Sequence, residues 1–120
     1  MAEQQSGATS LRRLLRAASH SFDGFRAALT EASFRLEVVF SLILIPAGMY
    51  FGRSGMERAL LIGSVLLVLV VELLNSAIEA VVDRVSLENH VLSKRAKDIG
   101  SAAVAVSLAN VVAVWLLILA

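Results

Sequence analysis

Hydrophobic and polar positions change their spacing along this chain. Between residues 11 and 26 apolar side chains recur at helical intervals: at 100° per residue Leu11, Leu14, Leu15, Ala18, Phe22 and Phe25 share one face, and Arg12, Arg13, Arg16, His20 and Asp23 share the other. This predicts an amphipathic surface helix over about 11–30, suited to a membrane interface or to the flank of a bundle, two roles that coexist. Further on, the alternation gives way to near-continuous apolar runs at 38–52, 59–82 and 99–120, of 15, 24 and 22 residues. A bilayer span needs about 20. The second and third runs suffice as they stand. The first, short and interrupted by Pro46 and Gly48, would suit a re-entrant segment unless the preceding Phe34 to Glu37 turn is added to it. The spans predicted are about 36–52, 59–82 and 99–120, and residues 1–9 are expected to be a disordered tail. The fold class is therefore an all-α membrane protein, with three transmembrane helices plus an N-terminal amphipathic surface helix in a single domain over 1–120.

Composition narrows the function classes. Hydrophobic residues make up 58% of the chain, above the usual fraction of a water-soluble domain. The absence of cysteine excludes disulfide scaffolds and metal-thiolate sites. A net charge of +1 argues against a nucleic-acid partner. The 11 Lys and Arg residues are sorted: Arg12, Arg13, Arg16, Arg26 and Arg35 precede the first span, Arg53 and Arg58 lie in the first loop, and Arg84, Lys94, Arg95 and Lys97 lie in the second. None follows the third span, so the N-terminus is expected in the cytoplasm and the C-terminus outside.

The second span retains carboxylates, and an intramembrane acid is a functional signal by default because leaving it there costs a few kcal/mol. Glu72, Asn75, Ser76, Glu79 and Asp83 all fall within about 100° of arc on an α-helix. Glu72 and Glu79 are separated by roughly 10 Å along the axis, too far to chelate one metal together. Two roles on one face follow: a deeper carboxylate acts on something arriving from the bilayer, and a shallower one serves a polar ligand from the cytoplasm. Hard oxygen ligands favour Mg²⁺ brought with substrate phosphates. The alternative is that these acids pair with arginines, or are protonated, and only hold helices together.

Glu31, Arg35 and Glu37 add charge at the boundary of the first span, near the expected level of Glu79. The stretch from Asp83 to Ser101 is predicted as a charged loop beneath the acidic stripe. There Arg95 and Lys97 suit phosphate, and Glu88 or Asp98 suits a sugar hydroxyl, a base edge or a metal. No Gly-rich phosphate cradle of the P-loop or kinase type occurs, so a nucleotide site would have to be built from helix faces. Ser101, Ala105, Ala109 and Ala113 form a small-residue ladder for close helix approach, with Asn110 as a candidate interhelical hydrogen bond. Three thin helices enclose little volume, which points to a homo-oligomer with shared sites.

The run Glu72-Leu-Leu-Asn75-Ser-Ala-Ile-Glu79-Ala-Val-Val-Asp83-Arg84, with Ala96-Lys97-Asp98-Ile-Gly100-Ser101-Ala-Ala after it, resembles the small prokaryotic diacylglycerol kinases. Gly24-Phe-Arg26-Ala-Ala and Glu31-Ala-Ser-Phe-Arg35 extend the likeness over nearly everything after residue 10. The resemblance implies an integral homotrimer of the bacterial inner membrane. Its reaction would transfer the γ-phosphoryl of MgATP to diacylglycerol, giving phosphatidic acid and recycling the lipid into phospholipid synthesis. It makes Glu72 the catalytic base with Asn75 beside it, and Glu31 and Glu79 the metal ligands. The nucleotide site would comprise His20, Glu31, Glu79, Glu88, Asn89, His90, Lys97 and Asp98. Lipid contacts would come from Arg13, Ser33, Phe34, Arg35, Leu36, Glu37, Glu72 and Ser101. The family commonly carries an aromatic residue where His20 falls, and one residue more between Arg26 and Glu31. Three other readings compete. A polyprenol kinase of the same fold would differ in its acceptor. A small proton-coupled transporter should show an inverted repeat or an even span count, and neither is visible. A structural helper subunit would leave the acids without a task.

Overall fold

The computed structural model describes residues 2–85 and 90–120, with side chains from residue 7 onward. Four helices follow one another: α1 (Ala2–Ala28), α2 (Ala32–Phe51), α3 (Gly55–Val85) and α4 (Val91–Leu119). The last three are long and apolar enough to cross a membrane. At 31 residues α3 is about 46 Å long, which exceeds the hydrocarbon core of about 30 Å and carries its acidic end beyond it.

Each helix differs from its predicted extent for a local reason. Residues 2–9, expected to be a disordered tail, continue α1 as helix. No proline interrupts that stretch, and its Ala, Glu and Gln favour a helix enough to carry Gly7. Pro46 lies inside α2 without ending it. In an apolar surrounding a helix is the form that leaves the fewest backbone groups unpaired. Most of the stretch predicted as a charged loop is helical as well: Asp83 and Arg84 belong to α3, and Val91 to Ser101 to α4. His90 caps α4 by accepting the Leu92 N–H at Nδ1 (3.1 Å), and Lys94 pairs with Asp98 one turn on at 2.6 Å.

α3 is the middle helix, packed on both α2 and α4. Its inward residues Leu61, Val65 and Val68 form the core with Phe34 of α2. Small residues make the close approaches. Gly48 of α2 sits against Leu61 and Trp115, and the indole Nε1 of Trp115 donates to the Leu61 carbonyl (3.2 Å). Gly52, in the short α2–α3 turn, is backed by the Gly48 carbonyl and the Arg58 amide, leaving no room for a side chain. The ladder Ser101, Ala105, Ala109 and Ala113 does not make the α3–α4 contact: all four residues are exposed, whereas Gly100 and Ser107 are buried. Among the described residues Trp115, rather than Asn110, bonds α4 to α3 near the α2–α3 turn.

α1 stands apart from this bundle. Its apolar face is open, with Leu11, Leu14, Leu15, Phe22 and Phe25 at least half exposed. The α1–α2 corner is fixed by side chains: Thr30 Oγ1 donates to the Ala27 carbonyl (2.6 Å), and Arg35 Nη1 donates to the carbonyls of Leu29 (3.1 Å) and Thr30 (3.2 Å).

Candidate active site

The polar stripe of α3 faces inward and emerges gradually. Glu72 is buried at 6% exposure, Asn75, Ser76 and Glu79 are half-buried, and Asp83 is exposed. α2 brings two further acids to it at different heights. Glu37 interacts with Glu72, carboxyl to carboxyl, and its Oε2 is buried without a hydrogen-bond partner. Glu31 occupies the N-cap position of α2, yet its carboxylate does not cap that helix. It accepts instead from Ser76 Oγ at 2.7 Å, linking the start of α2 to the middle of α3. An N-cap bond is worth about 1 kcal/mol, so here the local preference yields to a contact across the bundle.

Asn75 completes the upper layer. Its Nδ2 makes a long hydrogen bond to Glu79 Oε1 (3.4 Å), and its Oδ1 is buried and unpaired. Adjacent residues of one helix thus each hold one acid, Ser76 holding Glu31 and Asn75 holding Glu79. Beyond them Lys97 Nζ pairs with Asp83 Oδ1 at 2.6 Å, tying α4 to α3. The hydrogen bond and charge of Asp83 hold the Lys97 ammonium above its ordinary value.

Behind Glu31 and Ser76, a cavity of about 460 Å³ opens between α1 and α3, lined by Ser21, Gly24, Phe25, Ala28, Leu73 and Ala77. A second cavity, about 120 Å³ and apolar, lies between α2, α3 and α4, with Glu37 in its wall. The site therefore has a phosphate-compatible end, with oxygen donors and a cation, and a lipid-compatible end, where carboxyls meet hydrocarbon. Among the described residues no three His, Asp or Glu side chains form a metal cage. Glu31 and Glu79, each held by one neutral donor, match a cation that brings its own phosphate and water ligands.

The profile of prokaryotic diacylglycerol kinase matches residues 19–119. This chain belongs to that family. It is 54% identical over 114 residues to the diacylglycerol kinase of Pseudomonas aeruginosa, covering 94% of this chain and 93% of that protein. The diacylglycerol kinase of Escherichia coli K12 is 47% identical over 120 residues, at 99% and 96% coverage. That of Helicobacter pylori 26695 is 38% identical over 109 residues, at 90% and 85%. Membership in the diacylglycerol kinase family makes the chain an enzyme, a lipid kinase held in a membrane by apolar helices.

Not all residues that the family resemblance assigned come together within one diacylglycerol kinase chain. Glu31, Glu37, Glu72, Asn75 and Glu79 do, while Lys97 and Asp98 lie at the open end. Phe34 is turned into the core at 2% exposure, and Arg35 is engaged by the α1–α2 corner. Ser33, Leu36, Ser101, Arg13 and His20 are exposed, and neither Arg13 nor His20 lines the cavity beside α1. His90 caps α4 through Nδ1. Glu88 and Asn89 lie outside the described residues. Ser76 was legible only as a member of the polar stripe. Its bond to Glu31 depends on how α2 docks against α3, which no spacing along the sequence encodes.

Proposed function

We propose that the chain transfers the γ-phosphoryl group of MgATP to the free hydroxyl of a diacylglycerol, releasing ADP and phosphatidic acid. The observation that carries this reading is the depth order on α3: a buried Glu72 beside Glu37 at the apolar end, and Glu79 with Glu31 nearer the open end. The acceptor oxygen attacks the γ-phosphorus, the bond from that phosphorus to the β–γ bridging oxygen breaks, and the hydroxyl proton passes to Glu72. Phosphoryl transfer asks the protein mainly for positioning and charge neutralisation. Asn75 orients the groups around Glu72, and Glu37 holds the acceptor beside it. Glu31 and Glu79 would hold Mg²⁺, which would neutralise the phosphate oxygens when bound. Lys97, Asp98, His90, Glu88, Asn89 and His20 serve the nucleotide, with Arg13, Ser33, Arg35, Leu36 and Ser101 serving the lipid, while Phe34 packs behind them in the core.

Arg13, His20, Leu36 and Ser101, exposed on the single chain, are then met by another protomer. The exposed ladder of α4 supports this, and the assembly proposed is a homotrimer in the bacterial inner membrane, N-terminus cytoplasmic. The deciding experiment measures transfer of labelled γ-phosphate from MgATP to diacylglycerol and, in parallel, to undecaprenol in mixed micelles, with Glu72→Gln as control. Labelling of diacylglycerol that depends on Glu72 is expected. Preference for undecaprenol would change the acceptor, and labelling of neither would end the kinase mechanism as drawn.

A further inference from the structure

Gly7, Gly24, Gly55 and Gly63 have open space where a side chain would stand, and Gly48, Gly52 and Gly100 do not. A methyl group at Gly48 or Gly52 would meet a neighbouring helix or turn: Leu61 Cβ at 3.2 Å for the first, the Gly48 carbonyl oxygen at 2.9 Å and the Arg58 amide at 3.1 Å for the second. Those glycines let chain approach chain. Gly100 is different. It is buried on α4, yet among the described residues beyond its own helix the only atoms within 4 Å of a methyl there belong to the Asn75 side chain, whose amide oxygen it would overlap. α3 and α4 would therefore tolerate alanine at position 100 if Asn75 were absent.

Helices disfavour glycine, and Gly100 differs from the glycines in open space because a polar side chain occupies the place of its missing methyl. Asn75 itself is equally unusual, since its Oδ1 is buried with no hydrogen-bond partner. Buried polar atoms without partners are rare and mark positions where something besides stability is served. Both oddities have one explanation. With Oδ1 lodged over Gly100, the Nδ2 of the same amide faces Glu79.

We propose that Gly100 is a positioning residue of the kinase, acting through Asn75: the gap in α4 fixes the Asn75 amide so that it donates to Glu79 and leaves the remaining lone pairs of that carboxylate for the nucleotide end of the site. The inference rests on the reading of Asn75 and Glu79 given above. Gly100→Ala evicts the amide oxygen and releases Glu79 without touching it.

The test is a double-mutant cycle in the full-length protein in mixed micelles, comparing Gly100→Ala, Asn75→Ala and the double variant. Turnover, KM for MgATP, KM for diacylglycerol, size and thermal unfolding are measured, with Glu72→Gln as the inactive control. Gly100→Ala is expected to lower kcat/KM for MgATP by about tenfold or more, the scale of coupling between touching residues, and to leave the diacylglycerol KM within about twofold. In the Asn75→Ala background the same substitution should change neither, and should raise thermal stability because alanine replaces a helical glycine. An equal loss in both backgrounds would assign Gly100 to helix packing and overturn the proposal, as would a Gly100→Ala enzyme indistinguishable from wild type. Should Gly100→Ala alone fail to assemble, recovery on adding Asn75→Ala supports the proposal and continued failure overturns it. A silent Asn75→Ala beside an inactive Glu72→Gln would sink this inference while leaving the kinase reading standing. Absence of transfer by the wild-type protein would sink that reading instead.

Discussion

The two ends of the α2–α3 pair treat buried polar atoms in opposite ways. Near the turn, the Leu61 carbonyl accepts from Ser64 Oγ (2.8 Å) as well as from the Trp115 indole, and glycines bring the helices together. At the other end Glu37 Oε2 and Asn75 Oδ1 are buried without partners, and two carboxyls face each other. In hydrocarbon, where helices gain no hydrophobic drive from meeting, association depends on close packing and hydrogen bonds. The turn end supplies both. The acidic end leaves two buried oxygens open, as a site that a substrate is to complete would. Stability and chemistry have been separated along one helix.

Perturbing each end should therefore move a different observable. The largest effect belongs to Glu72→Gln, expected to lower turnover by about 10²–10⁴-fold, the range of general acid–base catalysis, with assembly intact in detergent. Turnover near wild type would remove Glu72 from its role. Ser76→Ala frees the Glu31 carboxylate from its donor, and a positioning partner of a metal-binding carboxylate is typically worth about 10–100-fold in metal affinity. A Mg²⁺ titration of activity should shift upward accordingly, and an unchanged curve would detach Glu31 from the metal.

At the turn end, Gly52→Ala forces a methyl against the Gly48 carbonyl and the Arg58 amide. Overpacking of that kind costs about 1–3 kcal/mol, visible as a lower unfolding temperature, with turnover per folded molecule unchanged. Trp115→Phe keeps one aromatic ring but removes the pyrrole with its N–H, so about 1 kcal/mol for the bond to Leu61 is lost together with some packing volume, visible as a lower unfolding temperature. If either substitution altered nucleotide KM, the division between the two ends would be wrong.

The smallest effect is that of the Lys97–Asp83 pair, which is exposed and open to screening by salt. Its partner raises the Lys97 ammonium, so whatever stability the pair contributes is fully present at neutral pH and fades only as pH climbs through that raised value. Asp83→Asn should then shift thermal unfolding only slightly at low ionic strength and not at all at high salt.

Much of this arrangement was legible from residue order alone. The 100° periodicity placed Glu72, Asn75, Ser76 and Glu79 on one inward face, because a helix converts spacing into direction. Helix ends were less legible. Pro46 looked like an interruption, and 91–101 looked like loop, since neither a lipid surrounding nor the His90 cap shows in local propensity. Pairings between helices were not legible at all. Glu37 beside Glu72, Ser76 beside Glu31 and Asn75 over Gly100 each depend on the vertical register of two helices, which is set by packing far away at Leu61, Gly48 and Trp115. The small-residue ladder of α4 had the right chemistry for close contact, but spacing does not say which partner it meets.

Arg35 carries a mechanical consequence. By gripping the last carbonyls before Glu31, it makes the corner between α1 and α2 a rigid bracket. A helix with an open apolar face floats at the boundary between water and lipid, and a bracket transmits that height to whatever is bolted to it. Glu31 stands at the bend and reaches α3 through Ser76. On the proposed mechanism α1 would act as a waterline for the enzyme, keeping its phosphate-handling end level with the headgroups and Glu72 at the depth where a lipid hydroxyl would arrive.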